Sequence, residues 1–195
     1  MTPRLTGDPI VGVLLAAGSA SRFGGGKLLA LLEDGTPLGV RALINLAPCV
    51  DSVVAVVRPG DALLARALED QGASVTVCPY AADGMGQSLA WAIRGTPLAK
   101  AWVVALADMP WIENTTTRRI VDALRSDAGL VAPLQKGARG HPVGFSRRYF
   151  GELVALTGDE GAREVLRRHA QELRLIETDD AGVSRDVDTP ADLAR

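Results

Sequence analysis

Short apolar runs alternate along this chain with amphipathic segments of helical length, and this alternation restricts the fold more than any other feature. Buried strands are predicted at 10–15, 52–57, 74–78 and 101–107, with shorter strands near 130–132, 143–146 and 173–176. Helices are predicted at 37–47, 61–71, 87–94, 114–125 and 161–170, with Asn114 as the cap of the fourth. Strands that alternate with helices of this length form βαβ units. We therefore predict one α/β domain over residues 1–195 with a mostly parallel, twisted sheet.

The composition excludes several classes of protein. Hydrophobic residues make up 47% and charged residues 23% of the 195 residues, as in average soluble proteins. The formal net charge of −2 predicts no nucleic-acid partner and no membrane partner, so any phosphate site must be built locally. Two cysteines and two histidines are too few for a disulfide framework or a thiolate–imidazole zinc set. With neither a signal-peptide core nor a run of roughly 20 apolar residues, a cytoplasmic location is expected.

Three unusual segments fall at the ends of predicted elements. They span 16–27, 83–88 and 108–110, and they are rich in glycine or carry charge next to apolar sequence. In open parallel sheets, ligands bind beyond the carboxyl ends of the strands. Because these segments are expected at that shared edge, they are the first candidates for a binding site.

The segment 16–27 reads AAGSASRFGGGK and directly follows the first predicted strand. Glycines allow the backbone to turn and bring its N–H groups close to phosphate oxygens. Arg22 can grip phosphate with a planar fork, and Lys27 adds a compact charge. The segment is neither a Walker A loop nor a GxGxxG fingerprint. A flexible surface loop with two solvated cations is the structural alternative.

The pattern LAAG-x3-R-x-G-x2-K at 15–27 resembles the signature of the MobA-like NTP transferase family, and particularly that of molybdenum cofactor cytidylyltransferases. Other segments are also similar to family motifs: GMGQSL at 84–89, LADMP at 106–110, GHPV at 140–143, GDEGAR at 158–163 and DVDTP at 186–190. The resemblance covers nearly the whole chain. It implies a Rossmann-like, three-layer α/β domain of the nucleotide-diphospho-sugar transferase type.

The resemblance also implies roles for individual residues. The implied nucleotide-binding residues are Leu15, Ala16, Ala17, Gly18, Arg22, Lys27, Gly84, Met85, Gly86 and Ser88. Arg22 and Lys27 would hold the phosphates and, with Asp108, form the catalytic set. Arg139 and His141 are interpreted as acceptor-binding because they precede a predicted strand in a polar segment. A purely structural role for His141 remains the alternative.

Asp108 ends an apolar run, where a charge is costly unless something binds it. A Mg²⁺ ion shared with phosphate oxygens would meet that need, because Mg²⁺ favours one or two carboxylates plus substrate phosphates. Asp188 is the expected second metal ligand, with Asp186 as its rival. The structural alternatives are an N-cap or a turn before Pro110 for Asp108, and a helix start at 188–190 for Asp188.

A site with these groups and no nucleophilic His or Cys fits one kind of chemistry. A phosphomonoester has its second pKa near ~6, so it can attack the α-phosphorus of an NTP without a general base. Catalysis then requires in-line positioning and charge neutralisation. The residues therefore predict a nucleotidyltransferase that uses Mg²⁺ and releases pyrophosphate.

Ala17 bears on the choice of nucleotide. In the resembling family, LAAG loops accompany cytidylyl transfer and LAGG loops guanylyl transfer, so Ala17 favours CTP as co-substrate. The implied acceptor is molybdenum-bearing molybdopterin, and the implied protein partner is a transiently bound molybdoenzyme or its chaperone. Three alternatives stay open: transfer to a sugar or polyol phosphate, an NAD(P)-dependent oxidoreductase, and a non-catalytic nucleotide-binding protein for cofactor delivery. The missing GxGxxG argues against the oxidoreductase.

Overall fold

The computed structural model describes residues 8–18, 23 and 25–194, and within them eight strands form one sheet. The strands are β1 (Ile10–Leu15), β2 (Ser52–Val57), β3 (Ser74–Val77), β4 (Ala101–Leu106), β5 (Leu130–Gln135), β6 (Ala138–Arg139), β7 (Val143–Ser146) and β8 (Leu173–Glu177). Every predicted strand is present. β5 is longer than expected because it continues through Pro133, whose carbonyl accepts a hydrogen bond from the Gly140 amide.

The order of the strands across the sheet is β3-β2-β1-β4-β7-β5, and β6 and β8 also pair with β5. β1 runs parallel to β2 and β4, with Leu15 opposite Val56 on one side and Leu106 on the other. β3 and β8 are also parallel to their neighbours, whereas β7 is antiparallel between β4 and β5. The carboxyl ends of the first four strands therefore meet at one edge of the sheet.

Helices cover both faces of the sheet. They are α1 (Leu38–Leu46), α2 (Ala62–Glu69), α3 (Met85–Gly95), α4 (Asn114–Arg125), α5 (Phe150–Val154) and α6 (Arg163–Arg168). On one face, Leu14 and Val103 belong to the core formed with α1, α2 and α4. On the other, Val13 and Val104 pack with α3, α5 and α6. This is the expected three-layer α/β architecture, and no helix in the described residues is long and apolar enough to cross a bilayer.

Several helix ends differ from the prediction. Asn114 is the first residue of α4 rather than its cap, and Glu113 occupies the cap position without a side-chain hydrogen bond to the helix. α3 begins at Met85, two residues before the predicted start, and this places part of the 83–88 segment in a helix. α6 is confined to Arg163–Arg168, shorter than the predicted 161–170.

Gly39 lies inside α1, where a glycine costs helix stability. A Cβ at this position would lie 3.2 Å from the Leu28 Cβ and 3.3 Å from the Leu28 carbonyl oxygen. The close approach brings the 3-10 turn Lys27–Leu29 against α1. Gly39 therefore helps to fix the residue next to Lys27 on the sheet edge.

Candidate active site

A cavity of about 610 Å³ opens at the carboxyl edge of the sheet, where β1 to β4 end. The predicted nucleotide-binding residues that line it are Leu15, Ala17, Gly18, Lys27, Gly84, Met85 and Ser88. Asp108, the predicted metal ligand, lines the same cavity. The structure therefore brings parts of the three sequence segments singled out above to one cavity.

Lys27 and Asp108 form the charged centre of this cavity. The Lys27 Nζ lies 2.8 Å from Asp108 Oδ2, although 81 residues separate them in the chain. Lys27 Nζ also donates a hydrogen bond to the Val187 carbonyl at 2.7 Å. The two side chains are only 11% and 27% exposed, so solvent screens this pair less than a surface ion pair. The ammonium of Lys27 thus supplies part of the compensation that the Asp108 carboxylate needs at the end of an apolar strand.

The 186–188 segment lies directly beside that pair. The Val187 amide donates a hydrogen bond to the Asp108 carbonyl at 3.0 Å. Asp186 and Asp188, the rival second ligands, flank Val187 and are both exposed. The Asp188 and Thr189 amides each donate to Asp192 Oδ2, at 3.3 and 2.8 Å, at the start of the 3-10 turn Pro190–Ala194. The DVDTP segment therefore has a turn-forming role as well as its place beside the site.

Two of the predicted nucleotide-binding residues, Ala16 and Gly86, lie behind the cavity wall. The Ala16 side chain is 1% exposed and packs in the core shared with α1, α2 and α4. The Gly86 amide donates to the Gly158 carbonyl at 2.8 Å, and a Cβ on Gly86 would lie 2.6 Å from the Thr157 carbonyl oxygen. Gly84 has φ of 114°, and a Cβ there would lie 2.4 Å from Gly158. The glycines of the GMG segment are thus required by the neighbouring 157–158 loop.

Gly86→Ala is expected to lower the free energy of unfolding by roughly 1–3 kcal/mol, because the new methyl group overlaps backbone that cannot rotate away. Gly95→Ala, at the other end of α3, is the matched control because no atom beyond its own helix backbone and chain neighbours lies within 4 Å of its Cβ position. The control should be neutral or stabilising by up to about 1 kcal/mol. Urea unfolding of both variants measures the difference, and equal stabilities would contradict the packing shown here.

Arg139 and His141, the predicted acceptor-binding residues, do not line the cavity. Arg139 is exposed in β6, and the His141 amide donates to the Val183 carbonyl at 2.8 Å. Burial lowers the pKa of His141, against opposing effects of the Val104 backbone and the Asp108 carboxylate. His141 Nδ1 is buried and has no hydrogen-bond partner among the described residues. His141 is therefore a neutral hydrogen-bonding group close enough to Asp108 to sense its charge.

Arg22, predicted to bind phosphate, lies outside the described residues. Other cavity-lining residues were not predicted: Leu28, Arg58, Pro59, Pro79, Ala81, Ala82, Leu106 and Asp159. Arg58 and Pro59 directly follow β2, and Pro79 lies two residues beyond β3. The rule that sites form beyond strand ends, applied to all four strands, would have found these three.

The donor set fits a divalent ion that is shared with a substrate. In the described part of the chain, no group of three or more His, Cys, Asp or Glu side chains could hold a metal by itself. Mg²⁺ in phosphate-transfer sites usually takes one or two carboxylates and completes its shell with phosphate oxygens and water. Asp108 lines the cavity, whereas Asp186 and Asp188 are exposed beside Val187 and do not line it, so the second metal ligand stays a prediction.

Comparisons with known proteins agree with this geometry. The model of the MobA-like NTP transferase domain matches residues 12–173. Purine catabolism protein PucB of Bacillus subtilis (strain 168) is 33% identical over 93% of this chain and 92% of its own length. Molybdenum cofactor guanylyltransferase of Mesorhizobium japonicum is 32% identical over 69% of this chain and 64% of its own. Nicotine blue oxidoreductase of Paenarthrobacter nicotinovorans is 29% identical over 95% of each chain.

Solved structures show the same fold. Rv0371c from Mycobacterium tuberculosis H37Rv matches with a TM-score of 0.81 and 30% identity, covering 98% of each chain. Its complex with manganese matches with a TM-score of 0.77, covering 96% of this chain and 97% of that one. The family model, the relatives and the fold converge on one classification. The chain belongs to the MobA-like NTP transferase family and is a nucleotidyltransferase of that type.

Proposed function

We propose that the chain transfers CMP from CTP to the phosphate of molybdenum-bearing molybdopterin and releases pyrophosphate, with Mg²⁺ as the metal. The observation that carries the proposal is the placement of Lys27 Nζ 2.8 Å from Asp108 Oδ2 in the cavity that Gly18, Gly84 and Ser88 also line. A cation and a metal-binding carboxylate side by side suit a triphosphate with its divalent ion. The manganese complex of Rv0371c supports a divalent ion in this family.

The reaction needs few groups from the protein. A phosphate oxygen of the acceptor bonds to the α-phosphorus, the bond from that phosphorus to the bridging oxygen breaks, and pyrophosphate leaves with the electron pair. The acceptor is already mostly dianionic at neutral pH, so no residue has to remove a proton from it. When bound, Mg²⁺ supplies charge neutralisation to the phosphates. Lys27 adds a fixed positive charge, and Asp108 would hold the ion beside the phosphates.

The acceptor side is assigned to the face that carries Arg139 and His141. Arg139 offers a planar guanidinium for a phosphate oxygen. His141, whose buried Nδ1 has no hydrogen-bond partner among the described residues, is the second residue proposed for this face. The electrostatic effect of Asp108 on His141 supports the assignment of the acceptor to this face.

Ala17 is proposed to set the preference for a pyrimidine base. Its side chain is 8% exposed and lines the cavity, so its methyl group reduces the room available to a purine. Ala17→Gly is expected to shift the ratio of kcat/KM values for CTP and GTP toward GTP by about tenfold, the usual scale for one methyl group in a binding pocket.

Ala16→Gly is the matched control for that variant. It introduces the same backbone freedom one residue earlier, but the Ala16 side chain lies in the core instead of the cavity. The control should lower stability and leave the CTP-to-GTP ratio unchanged. Initial rates of pyrophosphate release with each nucleotide provide the comparison, and equal shifts in both variants would remove Ala17 as the selectivity residue.

A second candidate function is an NAD(P)-dependent reduction. It is favoured by one observation, the 29% identity to nicotine blue oxidoreductase across 95% of both chains. Against it, β1 is followed by LAAG rather than GxGxxG. A titration with NADPH, followed by nicotinamide fluorescence, separates the two functions, because saturable binding that CTP does not displace would favour the reductase.

Two further alternatives differ in acceptor or in turnover. A transferase for sugar or polyol phosphates would release pyrophosphate with those acceptors and remain inactive with molybdopterin. A cofactor-delivery protein would bind NTP without releasing pyrophosphate from it. Rates measured with an acceptor panel of molybdopterin, sugar phosphates and polyol phosphates distinguish these outcomes from the proposed reaction.

A further inference from the structure

Asp180 is a buried carboxylate with no role in the proposed chemistry. It is 5% exposed, and its two oxygens accept hydrogen bonds from backbone amides. Oδ1 accepts from the Gly182 amide and Oδ2 from the Glu113 amide, both at 2.9 Å. A buried charge is costly unless hydrogen bonds compensate it, and here both partners belong to the main chain. The Asp180 carboxylate therefore joins the 180–182 turn to the loop that precedes α4.

Residues 178–188, which we call the strap, cross from the far side of the sheet to the active site. The Thr178 amide donates to the Leu134 carbonyl at 3.0 Å, which ties the start of the strap to β5. Gly182 packs so tightly that a Cβ would lie 2.2 Å from the Trp111 carbonyl oxygen. The Val183 carbonyl accepts from the His141 amide at 2.8 Å. These contacts hold the first half of the strap together with the bond from Glu113 to Asp180.

The second half of the strap ends on the charged centre of the cavity. Val187 is fully buried. Its amide donates to the Asp108 carbonyl at 3.0 Å, and its carbonyl accepts from Lys27 Nζ at 2.7 Å. One strap residue therefore contacts both residues to which the nucleotide and the metal are assigned. A displacement of Val187 is therefore expected to change the position of the Lys27 ammonium relative to the Asp108 carboxylate.

We infer that Asp180 is a positioning residue for Lys27 and Asp108, acting through the strap. The inference rests on the proposed function, which assigns phosphates to Lys27 and the metal to Asp108. The Asp180 carboxylate fixes the turn from which the strap runs toward Val187, and Val187 orients the Lys27 ammonium against Asp108. Asp180 itself does not line the cavity. Loss of the Asp180 carboxylate should therefore change the environment of Lys27, which is hydrogen-bonded to Val187 at the other end of the strap.

Asp180→Asn tests the inference, because the amide nitrogen is a donor and must face one of the two donor N–H groups. The readout is acylation of Lys27 by an amine reagent, quantified by mass spectrometry relative to Lys100 in the same sample. The control is Asp51→Asn: Asp51 Oδ2 accepts from the Ile10 amide at 2.8 Å at the start of β1, the end of that strand opposite the cavity. We expect relative labelling of Lys27 to rise about fivefold in Asp180→Asn and to remain at the wild-type value in Asp51→Asn.

Asp180→Ser provides the same readout if Asp180→Asn does not fold. A serine hydroxyl can keep the turn bond to the Gly182 amide and loses only the bond to the Glu113 amide. For a folded variant, we also expect kcat/KM for pyrophosphate release to fall about tenfold, and the metal affinity of the nucleotide-free protein to change.

The labelling result decides the inference without any turnover. Wild-type labelling of Lys27 in a folded Asp180 variant would overturn it, even if the variant is less stable, because Asp180 would then be merely structural. Failure of the wild-type protein to release pyrophosphate from any NTP would instead remove the proposed function, and the labelling would still report whether the strap positions Lys27. The two failures are therefore distinguishable.

Discussion

Asp108→Asn is expected to lower the rate of metal-dependent pyrophosphate release by about a thousandfold, the effect of removing a metal-binding carboxylate from a phosphate-transfer site. Asparagine keeps the size of the side chain and an acceptor oxygen for Lys27, so the fold should persist. The measurement is kcat at saturating Mg²⁺, with circular dichroism to establish that the variant is folded.

The control for this variant is Asp127→Asn. Asp127 is also a carboxylate paired with a lysine, Lys100, at 3.6 Å, but it is 89% exposed. Lys100 precedes β4 whereas Asp108 follows it, so the two pairs lie at opposite ends of the same strand. Asp127→Asn should retain the wild-type rate. Full activity of Asp108→Asn with an unchanged requirement for metal would show that Asp108 is not the metal ligand.

Lys27→Ala is expected to have opposite effects on metal and on nucleotide. The variant should lose about a hundredfold or more in kcat/KM for NTP, because a fixed cation on the phosphates is removed. In the absence of nucleotide, however, its affinity for Mn²⁺ should increase several-fold. The reason is that Lys27 Nζ occupies Asp108 Oδ2 at 2.8 Å, so a metal that binds alone must displace the ammonium or tolerate its charge.

This competition also predicts cooperation between the two ligands in the wild-type protein. Phosphates that draw Lys27 toward themselves leave Asp108 available to the metal, so nucleotide should increase the affinity for Mn²⁺. By linkage, Mn²⁺ should increase the affinity for nucleotide by the same factor. Electron paramagnetic resonance of free Mn²⁺, with and without a non-hydrolysable CTP analogue, measures both effects. Lys100→Ala is the control and should behave as wild type. A Lys27→Ala protein that binds Mn²⁺ alone more weakly than wild type would contradict the competition.

The order of strands and helices could be predicted from the sequence because it depends on local patterns. The IVGVLL run of β1 and the AWVVAL run of β4 have no polar residue, as expected of strands covered on both faces. The same patterns predicted that 16–27 and 108–110 would meet, since the carboxyl ends of parallel strands share an edge. Asp108 and Lys27 do meet there.

Other features could not be predicted because they depend on contacts that are distant in the chain. The early start of α3 accompanies the bond from Gly86 to Gly158, and nothing near residue 86 encodes that partner. The short apolar run of β7 predicts a strand but indicates neither its antiparallel direction nor its place between β4 and β5. The sequence argument sought a metal to compensate Asp108, whereas the structure also supplies Lys27 and the Val187 carbonyl beside it. That arrangement could be seen only once the path of the strap was known, because Val187 reaches Asp108 through it.

The most direct test of the account is pyrophosphate release measured with each of the four NTPs, with and without molybdenum-bearing molybdopterin, at fixed Mg²⁺. We predict stoichiometric pyrophosphate with CTP, dependent on both the acceptor and the metal, and much slower release with the other nucleotides. Absence of pyrophosphate with every NTP, from folded protein and competent acceptor, would contradict the assignment of the Lys27–Asp108 cavity to nucleotidyl transfer onto this acceptor.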